Sequence, residues 1–149
     1  MNYHLEVSLE ENNEFAAFLG SQIREFNNEN SLHHKESRKK GAVQPIHIMV
    51  SDENKKWLGG ISGRVYWNWL EIDHFWFSEQ IRSKGLGQTL LKRTEEIALE
   101  KGAVKALLTT FDFQARTFYE KYGYTVVGKI EDYPPGSTFF TMVKPLKEV

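Results

Sequence analysis

The sequence has no cysteine and no long apolar run. Without cysteine the chain can form no disulfide, bind no metal through thiolates and use no cysteine nucleophile, which suits a reducing compartment. No stretch approaches the ~20 consecutive apolar residues that a membrane-spanning helix needs. Residues 1–6 also lack the pattern of a signal peptide. We therefore expect a cytoplasmic protein that has no membrane partner.

The chain also has little net charge, because 19 basic and 20 acidic side chains leave a formal net charge of -1. A protein with this balance is not drawn as a whole toward nucleic acid, and no nucleic-acid-binding motif is present, so we expect no nucleic-acid partner. The one basic run, residues 35–40, is predicted to be a solvated loop. A length of 149 residues with 40% hydrophobic content predicts a single domain over residues 1–149.

Apolar residues alternate with polar ones or form short runs in some stretches, and recur at helical spacing in others. The first kind predicts strands at residues 3–9, 46–50, 57–67, 70–77, 104–110, 124–129 and 137–144. The second kind predicts helices at residues 11–28, 86–101 and 113–122, the first with Asn12 or Asn13 as its N-cap. Residues 27–41 are predicted to form a loop. This order of elements predicts an α/β domain with a mixed sheet.

Residues 82–87 connect a predicted strand to a predicted helix and contain Gly85 and Gly87. The first amides of a helix have no partner within it, the helix dipole favours an anion there, and glycine lets the backbone approach a ligand closely. The loop therefore predicts a phosphate site. Two common phosphate motifs do not fit. A dinucleotide fingerprint needs a glycine where Leu90 stands, and a P-loop needs Lys-Ser/Thr where Gln88 and Thr89 stand.

Two blocks of this sequence resemble the signatures of the GNAT superfamily of acetyl-CoA-dependent N-acetyltransferases. The first signature, Arg/Gln-x-x-Gly-x-Gly/Ala, is matched by Arg82, Gly85 and Gly87. The second, Ala-x-x-x-Tyr-x-x-x-Gly-aromatic, is matched by Ala115, Tyr119, Gly123 and Tyr124. The resemblance implies an α/β (α+β) fold with one domain. Its mixed, mostly antiparallel sheet would have about six to seven strands, flanking helices and a splay between strands 4 and 5.

The same resemblance implies a site for acetyl-CoA as co-substrate, with no metal. Main-chain amides of the loop, with side-chain donors at its end, would hold the pyrophosphate; the residues are Arg82, Ser83, Lys84, Gly85, Leu86, Gly87, Gln88 and Thr89. The pantetheine arm would add like a strand to the main chain of Phe75, Trp76 and Phe77. Amides of that stretch would also stabilise the oxyanion that forms at the thioester.

Asp112 stands where many members of the superfamily carry an asparagine that contacts the CoA arm. An aspartate can accept a hydrogen bond from the cofactor but, when ionised, cannot donate one. Asp112 is therefore a candidate cofactor contact, although the preferred interpretation is that it caps the helix predicted from residue 113. Gln114 can supply the missing donor.

Tyr119 matches the family's general acid, which would protonate the departing CoA thiolate, because a phenol with a pKa near ~10 is protonated at neutral pH. The alternative is a tyrosine that only packs in the core. As general base we expect Glu71, which has the spacing before Phe75 of the catalytic glutamate in histone-acetylating members. It also shares strand parity with Phe75 unless a β-bulge intervenes. Asp73, His74 and a chain of waters are the alternatives.

The resemblance thus implies an acyltransferase that moves an acetyl group from acetyl-CoA to a primary amine by direct attack in a ternary complex. The alternative is a non-catalytic module that binds CoA or acyl-CoA on the same fold. The acceptor would be a small-molecule or peptide amine. Its identity stays open, as does the formation of a homodimer. Candidate acceptor contacts, with hairpin packing as the alternative, are Arg64, Tyr66, Trp67, Trp69 and Tyr133.

Overall fold

Two helices form the regular structure of the first unit, Met1–Lys39, in the computed structural model, which describes residues 1–147. Helix α1 (Asn13–Asn30) begins after Asn12, whose side chain accepts a hydrogen bond from the amide of Phe15 at 2.9 Å. Asn12 is thereby confirmed as the N-cap. Helix α2 (Leu32–Ser37) begins after Ser31, whose hydroxyl accepts from the amide of His34 at 3.2 Å. The prediction of a loop over residues 27–41 is therefore wrong across α2 and the end of α1.

No strand forms at residues 3–9, so that prediction is wrong. Alternation of apolar and polar residues supplies a strand with two different faces, but it does not supply a hydrogen-bonding partner. An isolated strand leaves its amides and carbonyls without a ladder. The regular structure described for Met1–Lys39 is otherwise helical, so this unit offers the stretch no strand to pair with.

A six-stranded sheet forms the centre of the second unit, which begins at Lys40. Its strands lie in the order β1-β2-β3-β4-β6-β5, and among the described pairs only β3 with β4 is parallel. This mixed, mostly antiparallel sheet confirms the predicted fold class. Its six strands are the lower of the two numbers predicted. The single domain over residues 1–149 stays a prediction. The strands are β1 (Gln44–Ser51), β2 (Trp57–Tyr66), β3 (Trp69–Phe77), β4 (Lys105–Phe111), β5 (Thr125–Glu131) and β6 (Thr138–Pro145).

Two α-helices and a short 3₁₀ turn, Glu79–Ile81, connect the strands of the second unit. Helix α3 (Leu86–Glu100) and helix α4 (Arg116–Lys121) are each followed by a glycine with positive φ. Gly102 has a φ of 93° and Gly123 a φ of 98°, the conformation in which glycine ends a helix. None of the helices within residues 1–147 is long and apolar enough to cross a bilayer.

One face of the sheet packs with α3 to form the hydrophobic core. Leu70 on β3 and Met142 on β6 are completely buried, and Leu90 and Leu91 contribute the apolar side of α3. Successive side chains of a strand point to opposite sides of the sheet, so every second residue of β1, β2 and β3 belongs to the face away from this core. The core therefore lies on one face of the sheet, and the more polar side chains of β1, β2 and β3 lie on the other.

Helix α3 also buries a carboxylate. Glu95 is 9% exposed and accepts two hydrogen bonds, from the hydroxyl of Tyr124 at 2.8 Å and from Nζ of Lys144 at 2.7 Å. Burial, together with the nearby Glu95 carboxylate, raises the pKa of Tyr124. These bonds satisfy a charge that would otherwise be expensive to bury, and they connect α3 to β6 and to the residue directly before β5.

Strands β3 and β4 pair only where they begin. Residues 69–71 of β3 lie opposite residues 105–107 of β4, and beyond that point the two strands diverge. A β-bulge follows at once on β3, because Gly63 of β2 lies opposite Ile72 while Ser62 lies opposite His74, which leaves Asp73 without a partner. The predicted splay is confirmed. It falls between the third and fourth strands of the structure because the strand predicted at residues 3–9 is absent.

Candidate active site

The gap between β3 and β4 forms a cleft of two adjoining cavities. One, of about 570 Å³, extends from Arg82 and Gly87 to Tyr119. The other, of about 290 Å³, extends from Tyr119 to Asp73 and Thr109. The cleft therefore connects the predicted phosphate loop to the predicted general acid. Five residues line both cavities: Phe75, Trp76, Gln114, Ala115 and Tyr119.

The loop at residues 82–87 turns through Ser83, with a φ of 61°, and Gly85, with a φ of 77°. Nε of Arg82 donates a hydrogen bond to the carbonyl of Phe77 at 2.8 Å, which ties the loop to the end of β3. The amide of Thr89 bonds the carbonyl of Gly85 at 3.2 Å and is the first to follow the helical pattern. The amides at positions 86–88 are therefore those that a helix start leaves available to an anion.

Gly87 lets the start of α3 approach the aromatic wall of the cleft. A Cβ atom at this position would lie 3.2 Å from Cζ of Phe118 and 3.8 Å from the ring of Phe77. A larger side chain would push into space that the two rings and the cavity occupy. The loop thus fits the pyrophosphate arm expected there, because its donors are main-chain amides and its glycine keeps the approach open.

The second half of β3 offers an unpaired main-chain edge to the cleft. Beyond the bulge β3 pairs with β2 but not with β4, so main-chain groups that face β4 have no sheet partner. The side chains of Phe75 and Phe77 pack against the core with ring centroids 5.5 Å apart. The side chain of Trp76 is 61% exposed. An extended molecule can add to this edge as a further strand would.

Tyr119 lies on α4 where the two cavities of the cleft meet, and it is 7% exposed. Its ring packs against Phe75, Phe118 and Tyr124 at centroid distances of 6.4, 5.4 and 5.7 Å. Burial raises the pKa of Tyr119 to about 12. The phenol therefore holds its proton throughout the physiological range and can act as a donor. Tyr119 combines the core packing considered as an alternative with a place in the wall of the cleft.

Asp112 does not cap α4, so that interpretation is wrong. The helix begins at Arg116, and its N-cap residue, Ala115, makes no side-chain cap. Residues 113–115 instead form a turn that the side chain of Gln114 stabilises. Oε1 of Gln114 accepts from the amide of Phe111 at 2.9 Å and from the hydroxyl of Thr110 at 3.3 Å. Because these bonds use the oxygen of Gln114, its amide nitrogen is the donor left for a molecule in the cleft.

Glu71 is held in a network of polar side chains. The hydroxyl of Tyr66 donates to Oε2 of Glu71 at 2.5 Å, and Nη2 of Arg64 donates to Oε1 at 3.4 Å. Nε of Arg64 lies 3.6 Å from Oδ2 of Asp73. Burial, followed by the hydrogen bond to Glu71, raises the pKa of Tyr66. Both carboxylates on this part of β3 therefore share one guanidinium.

The β-bulge places Glu71 and Phe75 on opposite faces of the sheet. Glu71 lies opposite Arg64 and Phe75 lies opposite Ile61, and directly opposed residues share a face. Ile61 and Arg64 are three positions apart on β2 and so lie on different faces. The expectation that Glu71 and Phe75 lie on the same face of β3 is therefore wrong. Glu71 lines a separate cavity of about 190 Å³ with Tyr66, Trp67, Trp69 and Leu107. Its role as base stays a prediction.

Another cavity, of about 580 Å³, lies along the β1–β2–β3 hairpins. Aromatic and apolar side chains, among them Met49, Trp57 and Trp76, make up most of its lining, and His47 and His74 are its titratable groups. Sequence reasoning named Arg64 and its neighbours as acceptor contacts and missed this cavity. The available signal was that His47 and Met49 alternate with apolar residues along β1. This spacing indicates only that the two side chains share a face.

The comparisons with known proteins agree with this fold. The acetyltransferase (GNAT) family model matches residues 19–124. The chain is 41% identical over 108 residues to blasticidin-S acetyltransferase of Streptomyces morookaense, over 70% of this chain and 79% of that protein. The crystal structure of an acetyltransferase from Bacillus cereus ATCC 14579 matches with a TM-score of 0.80 and 31% identity, over 96% of this chain and 97% of that chain. The chain belongs to the acetyltransferase (GNAT) family and is an acyltransferase.

An aminoglycoside 6'-N-acetyltransferase solved in complex with coenzyme A also shares the fold, with a TM-score of 0.62. The two chains are 16% identical, over 94% of this chain and 97% of the other. At this identity the likeness concerns the fold alone. Within residues 1–147 no group of side chains is arranged to hold a metal ion.

Proposed function

We propose that this protein transfers the acetyl group of acetyl-CoA to a primary amine by direct attack within a ternary complex. The observation that carries the proposal is the cleft between β3 and β4, which joins the glycine loop at one end to buried Tyr119 at the other. Membership of the acetyltransferase (GNAT) family supports the acetyl transfer.

In this proposal the cofactor lies along the cleft from α3 to Tyr119. The main-chain amides at the start of α3 bind the pyrophosphate, and Gln88 adds a side-chain donor, because the hydroxyl of Thr89 already donates to the carbonyl of Gly85. The pantetheine arm pairs with the free edge of β3 at residues 75–77, and Gln114 donates to it from the opposite wall. This arrangement needs few specific side chains, because main-chain groups make most of the contacts.

The chemistry then requires one nucleophile and one acid. The lone pair of the amine attacks the thioester carbon, and main-chain amides on the edge of β3 stabilise the oxyanion. The carbon–sulfur bond breaks, and Tyr119 donates its proton to the departing sulfur. A phenol whose pKa is about 12 is protonated at neutral pH, which is the form that an acid needs in order to donate.

The acceptor is proposed to be a small-molecule amine. The relative that is 41% identical is named for an antibiotic, blasticidin S. The 580 Å³ cavity beside the cleft is of a size typical of small-molecule sites. Its aromatic walls at Trp57 and Trp76 suit an acceptor with a flat or apolar body, and its boundary with the cleft gives the amine access to the thioester.

The test is an amine screen in which free thiol is followed after mixing the protein with acetyl-CoA. The panel contains blasticidin S, an aminoglycoside, a polyamine, free amino acids and a peptide with a free N-terminus. We expect turnover with a small-molecule amine. Tyr119→Phe should lower kcat about 100-fold or more and leave the Kd for acetyl-CoA unchanged. Tyr122→Phe is the matched control, because it lies on the same side of α4 but lines neither cavity of the cleft.

The outcomes separate the parts of the proposal. Unchanged turnover in Tyr119→Phe would contradict the assignment of the acid. Turnover only with the peptide would contradict the small-molecule acceptor. Acetyl-CoA binding without turnover on any amine would contradict acetyl transfer to amines.

A further inference from the structure

We propose that His74 takes the proton from the attacking amine and passes it through Ser62 and His47 to solvent. This inference rests on the proposed direct transfer to an amine. Its starting point is the β-bulge. Because Asp73 is the extra residue, His74 lies opposite Ser62 and comes directly after the point where β3 leaves β4.

His74 lies where the cleft meets the acceptor cavity. It lines the 290 Å³ cavity together with Tyr119 and the 580 Å³ cavity together with Trp57. Phe75 and Trp76 also line both cavities, but of these three residues only His74 has an imidazole that can accept a proton from an amine. An amine that reaches the thioester from the larger cavity therefore passes the imidazole.

The two carboxylates of this region are already paired. Asp73 lies 3.6 Å from Arg64, and Glu71 lies 3.4 Å from the same guanidinium and accepts from Tyr66. In contrast, the ring of His74 takes part in no hydrogen bond or ion pair among residues 40–147 that the structure describes.

The remaining groups that face His74 do not compete for the proton. From β4, Thr109 and Thr110 line the same cavity and do not titrate. From α4, Tyr119 is already protonated and donates to sulfur, so it does not accept the proton of the amine. From β2 and β1, the neighbours on this face are Ser62 and His47, which belong to the proposed route.

A row of three side chains leads from His74 across the sheet. Ser62 lies directly opposite His74 on one side and directly opposite His47 on the other. Cβ atoms of such pairs are about 4.5–5.5 Å apart, which lets short polar side chains meet. Nδ1 of His47 already lies 2.8 Å from the hydroxyl oxygen of Ser62. Because a serine hydroxyl both accepts and donates, Ser62 can relay a proton between two imidazoles.

The proposed step balances with the groups named. The nitrogen–carbon bond forms as the amine attacks, and the proton on nitrogen moves to a ring nitrogen of His74. The carbon–sulfur bond breaks, and the proton of Tyr119 moves to sulfur. The imidazolium of His74 then loses its proton through Ser62 and His47 to water, and the phenolate of Tyr119 recovers one from water. The products are the amide and free CoA, with no change of oxidation state.

The pH dependence of kcat/KM tests this assignment in the wild-type protein, His74→Gln, Glu71→Gln and His4→Gln. Amines of different pKa serve as acceptors. The pH at which the amine ionises then changes, while the pH at which groups of the enzyme ionise does not. The wild-type protein should show an acid limb that does not move with the amine. His74→Gln should lose that limb and about 100-fold in kcat/KM. His4→Gln, the matched control from the N-terminal segment, should retain both.

Chemical rescue distinguishes a base from a structural residue. Added imidazole should restore part of the activity of His74→Gly in proportion to the concentration of its neutral form, which a purely structural histidine would not allow. Ser62→Ala should lower kcat severalfold and leave the KM for the amine unchanged. If His74→Gln misfolds and loses acetyl-CoA binding, the pH profile is measured on His74→Asn instead.

The failures of the two proposals differ. Should the wild-type protein turn over, and should His74→Gln keep its acid limb or Glu71→Gln lose it instead, His74 is not the base and the proposed function stands. Absence of rescue in a folded His74→Gly leads to the same conclusion. Absence of turnover in the wild-type protein on every amine overturns both proposals.

Discussion

The two halves of β3 belong to one strand but have different surroundings. Residues 69–71 pair with β2 on one side and with β4 on the other, and Leu70 among them is completely buried. Residues 74–77 pair with β2 alone and line the cleft. Asp73, the bulge residue, separates the two halves. One extra residue thus divides the strand into a part that builds the core and a part that presents an open edge.

This difference shows where a substitution should affect stability and where it should affect activity. The first half contributes side chains to the core, so its substitutions should change the free energy of unfolding. The second half contributes a main-chain edge and a few cleft-lining side chains, so its substitutions should change turnover.

The largest expected effect is on stability, from Leu70→Ala in the first half. Leu70 is 0% exposed, and truncating a buried leucine lowers the free energy of unfolding by about 2–5 kcal/mol. Urea unfolding measures this loss. Because Leu70 is distant from the open edge, kcat/KM well below the melting temperature should remain within a factor of about 2 of the wild-type value. A parallel loss of activity in the folded variant would contradict the division.

High pH should remove stability that depends on Tyr119, which packs against the second half. Burial raises its pKa from 10.0 to about 12, so the folded protein holds a proton that the unfolded chain releases. The contribution is fully present below pH 10 and is lost as the pH rises through about 12, at most about 2–3 kcal/mol. Urea unfolding of the wild-type protein and Tyr119→Phe, each at pH 8 and pH ~11.5, isolates it. An equal fall in both proteins would contradict the burial.

In the second half, Phe75→Leu should affect turnover more than stability. The ring of Phe75 packs against Phe77, Phe118 and Tyr119, and the residue lines both cavities of the cleft. Leucine keeps the position apolar but releases the ring of Tyr119, and we expect kcat to fall about tenfold, which corresponds to about 1.4 kcal/mol in the barrier. Steady-state kinetics and urea unfolding on the same samples give the two effects. A stability loss as large as that of Leu70→Ala would remove the distinction.

The smallest expected effect on stability is that of Trp76→Ala. The side chain is 61% exposed, and such surface substitutions usually change the free energy of unfolding by about 0.5 kcal/mol or less. The variant keeps the main chain that is proposed to bind pantetheine, so the Kd for acetyl-CoA should stay the same. The KM for the amine should rise severalfold, because Trp76 lines the acceptor cavity. A change in acetyl-CoA binding instead would show that the ring, which also lines the cleft, contacts the cofactor.

Local signals in the sequence were sufficient for most of the fold. Asn12 caps α1, Gly102 and Gly123 end α3 and α4, and the apolar run before Phe111 forms a central strand. Each of these features depends on a few neighbouring residues. The glycine loop and Tyr119 could be placed at one cleft because their motifs fix both the elements and their order.

Features that depend on distant partners could not be predicted in the same way. The bulge at Asp73 exists because of the register between β2 and β3, and nothing in the residues of β3 alone marks it. Without it, Glu71 and Phe75 share a face; with it, Glu71 turns to Arg64 and His74 turns to Ser62. The cap expected at Asp112 failed for a different, local reason, because Gln114 binds the main chain of Phe111 in a turn and α4 begins only at Arg116.

The buried carboxylate of Glu95 has a consequence for how this sequence can change over time. Tyr124 and Lys144 are satisfied by Glu95, and Glu95 by them. Losing Glu95 leaves the hydroxyl of buried Tyr124 without this partner, and losing Tyr124 or Lys144 removes the donor to one oxygen of Glu95. Three apolar residues of similar volume could instead replace all of them together. The three positions should therefore covary among homologues, with few viable single-step intermediates. The aromatic residue that ends the second family signature, Tyr124, would then persist through epistasis with α3 rather than through any part in acetyl transfer.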